Sequence, residues 1–87
     1  MNSFKLKIST PDGNVFEDEA VKFDVRGLEG DLAVMAGHIP FMTALKPCDC
    51  KIMLPDGDER IGSVLGGLLS VGSDDVVLLT SGFKWKE

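Results

Sequence analysis

The sequence has little of what most enzymes and membrane proteins use. It contains no tyrosine, one tryptophan, one histidine and two cysteines among 87 residues. No apolar stretch approaches the roughly 20 residues needed to span a bilayer, and the amino end MNSFKLKIST lacks the apolar core of a signal peptide. The chain has nine basic and fourteen acidic residues, and the basic residues do not form a run that could neutralise a row of phosphates. These absences predict a soluble, cytoplasmic protein that neither inserts into a bilayer nor binds nucleic acid.

The same scarcity argues against a catalytic or metal centre. A zinc site needs about four ligands, and the chain offers one histidine and two cysteines without a C-x-x-C pair. A general base needs a partner that orients its ring and a nucleophile nearby. No sequence motif links His38 to residues that could serve as either. The glycines match neither a dinucleotide fingerprint nor a phosphate-binding loop. We therefore expect no catalytic residue, metal or cofactor; the enzyme alternative would pair His38 with Asp31 or a cysteine thiolate.

The two cysteines are two positions apart. On a strand, Cys48 and Cys50 would share one face and lie side by side along the same chain, which is a poor geometry for a disulfide. We expect free thiols, as in a reducing compartment.

Alternation of period two runs through most of the chain, and no helical periodicity is sustained. In FKLKIS and AVKFDVRG, apolar residues alternate with charged or polar ones, which is typical of strands with one buried face. The segments TPDGN, PDGD and GSDD carry turn signals between such strands. A chain of this length builds one modest core. The sequence predicts a single all-β domain over residues 1–87, with nine or ten short strands in a sandwich or flattened barrel.

The stretch GLEGDLAVMAGHIPFMTALKP, residues 27–47, has the composition of a docking surface. Two irregular loops, 27–31 and 36–40, enclose a short strand, and we expect both loops to reach the same part of the surface. Leu28, Ile39 and Phe41 offer apolar anchors beside nearby carboxylates. The alternative is that these loops only connect strands. Core packing is the default expectation for Met35 and Met42, with an adaptable contact surface as the other reading.

These residues also carry a family resemblance. The segment EGDLAVMAGHIPFMTALKP resembles the signature of the epsilon subunit of F-type rotary ATP synthases, in which Glu-Gly-acid-Leu leads through Gly-His-x-Pro and Thr-Ala to Lys-Pro. The opening FKLKISTPDGNVFEDEAVKFDVRGLEG and the later VLGGLLSVGSDDVVLLTS resemble other parts of the same family in the same order. The resemblance implies a flattened, ten-stranded antiparallel β-sandwich or barrel. It covers this sandwich domain and not the helical hairpin that follows it in the family.

What the resemblance implies for function is a non-catalytic role in the rotor. The family domain connects the gamma subunit to the membrane-embedded ring of c subunits, at the cytoplasmic face of the bacterial plasma membrane. Inhibition of ATP hydrolysis and ATP binding belong to the helical hairpin and are not expected here. The loop that would meet the ring, called the ring-facing set, comprises Leu28, Glu29, Gly30, Asp31 and Leu32. The side that would meet gamma, called the gamma-facing set, comprises Thr10, His38, Ile39, Pro40, Phe41, Met42 and Thr43.

A rival interpretation ignores the family. A small β-sandwich can be a stand-alone adaptor or a carbohydrate-binding module, and the latter predicts an aromatic platform for stacking on sugars. The tail FKWKE departs from the family pattern, and Trp85 is expected to be an exposed aromatic if the chain ends there.

Overall fold

The computed structural model describes residues 2–28, 30–37 and 39–86. Within these ranges there are ten strands and no helix, so no helix of sufficient length and hydrophobicity to cross a membrane occurs there. The strands are β1 (Phe4–Thr10), β2 (Gly13–Ala20), β3 (Lys22–Gly27), β4 (Gly30–Met35), β5 (Phe41–Leu45), β6 (Cys48–Met53), β7 (Glu59–Val64), β8 (Gly67–Val71), β9 (Asp75–Leu79) and β10 (Phe83–Trp85).

All ten strands belong to one strongly curved sheet. Nine of them follow the order β10-β7-β6-β3-β5-β8-β9-β1-β2, and β4 pairs with β3 beside this path. The predicted all-β sandwich with ten strands is confirmed. One pairing departs from a purely antiparallel arrangement, because β1 and β9 run parallel, with Lys5 opposite Asp75 and Ser9 opposite Leu79. This pairing joins the first hairpin of the chain to the last one.

The alternation in the sequence determines which face of each strand is buried. Fifteen buried residues pack into one cluster, and the side chains with no exposed surface come from strands in both halves of the chain. The largest of these fully buried side chains are Phe23, Leu6, Ile8, Ile52, Leu69 and Leu78. The single core that the chain length predicts is therefore shared by nearly all strands.

The turns form where the sequence predicts them. Between β1 and β2, the Thr10 hydroxyl donates to the Gly13 carbonyl at 3.0 Å and accepts from the Asp12 backbone N–H at 3.2 Å. Between β6 and β7, the Asp56 carboxylate accepts from the Asp58 backbone N–H at 2.9 Å. Polar side chains that bond their own backbone thus close both hairpins.

Aromatic side chains pack across the seam between β2 and β10, which are the last and first strands in the order of the sheet. Phe16 of β2 meets Trp85 of β10 edge to face, with ring centroids 6.2 Å apart. Phe83 contacts the same indole at 4.8 Å, and the Arg60 guanidinium lies 4.0 Å from its centroid. Trp85 is half-buried, so the expectation of an exposed aromatic is wrong. The residue instead packs against the core.

Candidate docking surfaces

The ring-facing set lies at the tip of the β3–β4 hairpin. Gly27 pairs with Gly30 across the hairpin, and Leu28 donates its backbone N–H to the Ala44 carbonyl of β5 at 3.3 Å. Gly30 has a φ of +132°, a backbone conformation that residues with a Cβ rarely adopt. The tight turn leaves the Leu28 side chain 64% exposed. The tip therefore presents one apolar side chain on a backbone that is anchored to two neighbouring strands.

A carboxylate stands beside this tip. The Arg26 Nε donates to Asp31 Oδ1 at 2.7 Å across the β3–β4 pair, and both side chains are largely exposed, at 56% and 75%. An exposed pair of this kind contributes roughly 0 to 1 kcal/mol to stability. Its structural effect is to hold the Asp31 side chain in one place on the surface. Leu32, next in the set, is half-buried and packs against Gly27.

The apolar members of the gamma-facing set are exposed. Ile39 is 82% exposed, Met42 is 63% exposed and Phe41 is 37% exposed, and the loop residue Pro40 is exposed as well. Met35 is also half exposed, at 50%. The default expectation that Met35 and Met42 pack in the core is therefore wrong for both. Each occupies a solvent-facing position of its strand, and Val34, beside Met35, points into the core.

The two threonines of the gamma-facing set are less available for contact with a partner than the apolar members are. The Thr10 hydroxyl is engaged in the β1–β2 turn, and Thr43 is half-buried. Thr10 ends β1, whereas Phe41 begins β5, and strands β8 and β9 lie between β5 and β1. The described members of the set thus lie on β1, on β5 and in the loop before β5, and they do not form one compact cluster.

Two residues of the predicted sets, Glu29 and His38, lie outside the described residues.

The two loops 27–31 and 36–40 each contain a residue outside the described ranges, so their expected approach stays a prediction. They flank opposite ends of β4, whose six residues give a separation of roughly 16 Å along the strand. The ring-facing tip lies against β5. A shallow cleft of about 330 Å³ is lined there by members of both predicted sets. Its lining comprises Gly27, Gly30, Asp31, Leu32, Phe41, Met42 and Thr43.

A second, larger groove of about 590 Å³ crosses the outer face of β4, β3 and β6. Its walls carry charges of both signs, including Arg26, Asp49 and Lys51. Asp49 accepts from the Lys86 ammonium at 2.9 Å, and Lys51 lies 3.7 Å from Glu59. The charges are thus paired along the strands and do not converge on a point in the groove, as they would around a reacting group.

The cysteines are free thiols, as expected, and neither is arranged as a nucleophile. Burial raises the pKa of the Cys50 thiol from 9.0 to about 12, although a backbone hydrogen bond from Gly62 acts in the opposite direction. A thiol with this pKa stays protonated at neutral pH, which is the opposite of what a catalytic cysteine needs. Cys48 is half-buried, with its Sγ 3.8 Å from the Arg26 carbonyl. Across the described ranges, no three His, Cys, Asp or Glu side chains are grouped to hold a metal ion.

Two exposed leucines within strands, outside both sets, were missed. Leu68 of β8 is 39% exposed and Leu79 of β9 is 51% exposed, and the two are paired across the strands. The sequence contains a signal that could have found them. Each belongs to a Leu-Leu pair inside a strand, and because successive side chains point to opposite faces, one leucine of each pair must face solvent.

The fold is that of a small all-β domain: one curved sheet with exposed apolar residues at a hairpin tip and on an outer face. Comparison with known proteins identifies its family. Residues 3–86 match the family model described as "ATP synthase, Delta/Epsilon chain, beta-sandwich domain". The chain belongs to this family.

Similar proteins agree with this assignment. The chain is 33% identical over 85 residues to the sodium ion specific ATP synthase epsilon chain of Acetobacterium woodii, covering 98% of this chain and 64% of that protein. It is 35% identical to the ATP synthase epsilon chain of Clostridium novyi, again over 98% of this chain and 65% of that protein. The chain therefore spans slightly less than two thirds of the length of these relatives.

Solved structures share the fold at low sequence identity. A chain of the Euglena gracilis mitochondrial ATP synthase, solved as the OSCP/F1/c-ring assembly, superposes with a TM-score of 0.91 at 20% identity, covering 95% of this chain and 53% of that one. A chain of the central stalk and c-ring of the Tetrahymena thermophila mitochondrial ATP synthase gives 0.76 at 13% identity, covering 94% and 66%. At these identities the similarity establishes the fold.

Proposed function

We propose that this chain is a non-catalytic rotor element of the central stalk of an F-type ATP synthase. In this role it connects the gamma subunit to the c-ring during ATP synthesis, as a peripheral part of the complex at the cytoplasmic face of a bacterial plasma membrane. The family match supports membership of the ATP synthase. The observation that carries the proposal is the placement of exposed apolar residues on a rigid sheet, in the two segments where the family resemblance puts its contacts.

The physical properties of the domain suit coupling. An element that transmits rotation has to resist deformation and needs no reactive group. Here ten strands share one core, and the hairpin tip is tied by a backbone hydrogen bond to β5. Rigid backbones lose little entropy when they dock. The buried Cys50 thiol and the paired surface charges provide no reaction centre among the described residues.

The carbohydrate-binding alternative gains no support. It requires an exposed aromatic platform, and Trp85, the only tryptophan, is packed against Phe16 and Phe83. The Arg60 guanidinium lies over one face of the indole, 4.0 Å from its centroid.

Binding to the purified gamma subunit of the same ATP synthase tests the proposal. We expect the wild-type chain to bind gamma with about one-to-one stoichiometry by calorimetry. Met42→Asp should weaken this binding at least about tenfold, because it puts a charge into an apolar contact. Met35→Asp is the matched control, since Met35 has similar exposure on a different strand, at 50% against 63%. A folded wild-type chain that does not bind gamma would refute the proposal.

A second measurement addresses the ring. Leu28→Asp changes the exposed side chain at the hairpin tip, and we expect it to reduce co-purification of the c-ring with a reconstituted complex of gamma and this chain. Its affinity for isolated gamma should change less than that of Met42→Asp. Equal loss of both interactions would contradict the division into two contact regions.

A further inference from the structure

The outer face of strands β5, β8 and β9 carries a contiguous apolar patch. In the sheet register, Ala44 lies opposite Leu68, and Leu68 lies opposite Leu79. Residues that face each other across paired strands point to the same side of the sheet. Leu68 and Leu79 are 39% and 51% exposed, whereas Leu69 and Leu78, which point to the other side, have no exposed surface. Contiguous exposed apolar residues mark interaction sites more often than scattered single ones do.

Two lysines border this patch on the neighbouring strand, β1. Leu79 lies beside Ser9 in the register, and Val77 lies beside Lys7, which is two residues from Lys5. Both lysines alternate with buried residues of β1, so they share the outer face with the patch. The two ammonium groups therefore stand along one edge of the apolar residues.

Neither of these ammonium groups has an ion-pair partner within the described ranges. Glu19 and Glu17 of β2 lie opposite the two lysines, but their carboxylates are engaged elsewhere. The Glu19 carboxylate accepts from the Ser3 hydroxyl at 2.6 Å, and the Glu17 carboxylate accepts from the Asn14 side-chain amide at 3.3 Å. The face thus presents two cations that the domain does not neutralise itself.

The charges around the patch restrict the kind of partner that fits it. The chain carries a net charge of −5, and Glu17 and Glu19 form an acidic border immediately beyond the lysines. An extended anionic surface, such as a membrane or a nucleic acid, would meet this border and be repelled. A partner whose carboxylates reach only as far as β1 avoids it. Three strand spacings, about 14 Å from β5 to β1, set the width of such a contact.

We propose that this face docks a protein partner that presents apolar side chains flanked on one side by carboxylates. The apolar side chains cover Leu68 and Leu79, and the carboxylates pair with Lys5 and Lys7. An apolar centre beside a charged border is the usual anatomy of a specific interface, in which the charges set the orientation. The assignment goes beyond the proposed function, because it uses only the residues of this face and no partner that the family resemblance implies.

Two synthetic helical peptides of about 18 residues test the charge pattern. Both carry a stripe of leucines, which is flanked by glutamates in one peptide and by lysines in the other. Calorimetry measures the affinities, and NMR of the ¹⁵N-labelled chain maps the contact. We expect the glutamate peptide to bind at least about tenfold more tightly, with amide shifts on β1, β5, β8 and β9. The net charge of the chain favours the lysine peptide, so this preference has to come from the face itself.

Single variants with matched controls separate the two contributions. Lys7→Glu should weaken binding of the glutamate peptide at least about tenfold, and Lys84→Glu, an equal change of charge at an exposed site on β10, by less than about threefold. Leu79→Ser should also cost at least about tenfold, and Ile61→Ser, at a side chain 42% exposed on β7, less than about threefold. Urea unfolding followed by Trp85 fluorescence checks that each variant is folded.

Three results would overturn the proposal. The first is no binding of the glutamate peptide, equal binding of both peptides, or shifts on another face. The second is binding of the wild-type chain to phosphatidylglycerol vesicles that Lys7→Glu abolishes, which would assign the face to a membrane. The third is dimerisation in analytical ultracentrifugation that Leu79→Ser removes, which would assign the face to a second copy of the chain.

Discussion

At the scale of single residues, burial and exposure decide chemistry here more than residue type does. Cys50 and Cys48 are the same residue two positions apart, yet Cys50 is 2% exposed and Cys48 is half-buried at the wall of a groove. The buried thiol is stabilised in its neutral form, because water can no longer solvate the thiolate.

The raised pKa of Cys50 predicts alkaline destabilisation. In the unfolded chain the thiol ionises near pH 9, whereas in the folded protein its pKa is about 12, so unfolding releases a proton between these values. The contribution of Cys50 is therefore fully present below about pH 9 and is lost as the pH rises towards 12. We expect the free energy of unfolding to fall by about 1 kcal/mol per pH unit in this window.

Urea unfolding at several pH values from 8 to about 11 measures the slope. Cys50→Ala is the control, because it keeps all lysines and lacks the titrating thiol. The chain has no tyrosine, so no phenol titrates in this pH range. An equal slope for wild type and Cys50→Ala would show that the buried thiol contributes nothing.

At the scale of elements, local pattern predicted the strands well and their partners less well. Alternation in FKLKIS and AVKFDVRG gave the correct faces of β1 and β3, and the turn signals gave the hairpins. The parallel pairing of β1 with β9 was not predictable in the same way, because it joins segments about seventy positions apart through tertiary packing.

The exposed apolar residues of the predicted docking surface were also predicted only in part. Residues 39, 41 and 42 were predicted as apolar contacts from composition and family resemblance, and their exposure agrees with that role. Leu68 and Leu79 were not predicted, because they lie in regular strands and not in the irregular loops. A regular strand can also expose an apolar residue, and only the register shows that two such residues from different strands form one patch.

The aromatic seam between β2 and β10 yields a prediction of its own. Gly62 of β7 leaves room for the Phe83 ring, and a Cβ on this residue would overlap that ring. We expect Gly62→Ala to displace β10 and to lower the free energy of unfolding by roughly 1 to 3 kcal/mol, as overpacking does. Urea unfolding followed by Trp85 fluorescence measures the loss.

A double-mutant cycle with Phe83→Leu checks the cause. The smaller, non-aromatic side chain relieves the overlap, so Gly62→Ala should cost less in the Phe83→Leu background. Additive costs would mean that the glycine acts through its backbone and not through contact with the ring.

At the scale of the whole molecule, the topology predicts slow folding. The first strand completes its pairing only when the ninth is in place, and no helix among the described residues offers a fast local nucleus. All-β domains dominated by such distant pairings fold in milliseconds to seconds. Stopped-flow refolding monitored by Trp85 fluorescence should give a time constant in that range. Refolding within microseconds would contradict this view of the topology.

Strand β4 has an unpaired edge, which is an aggregation hazard. Among the described residues, β4 pairs only with β3, so its outer edge presents backbone groups that could template a strand from another molecule. One feature opposes this aggregation hazard: the exposed carboxylate of Asp31, which lies on β4 and is held by Arg26. The Asp31 carboxylate, a member of the ring-facing set, therefore also opposes self-association through this edge.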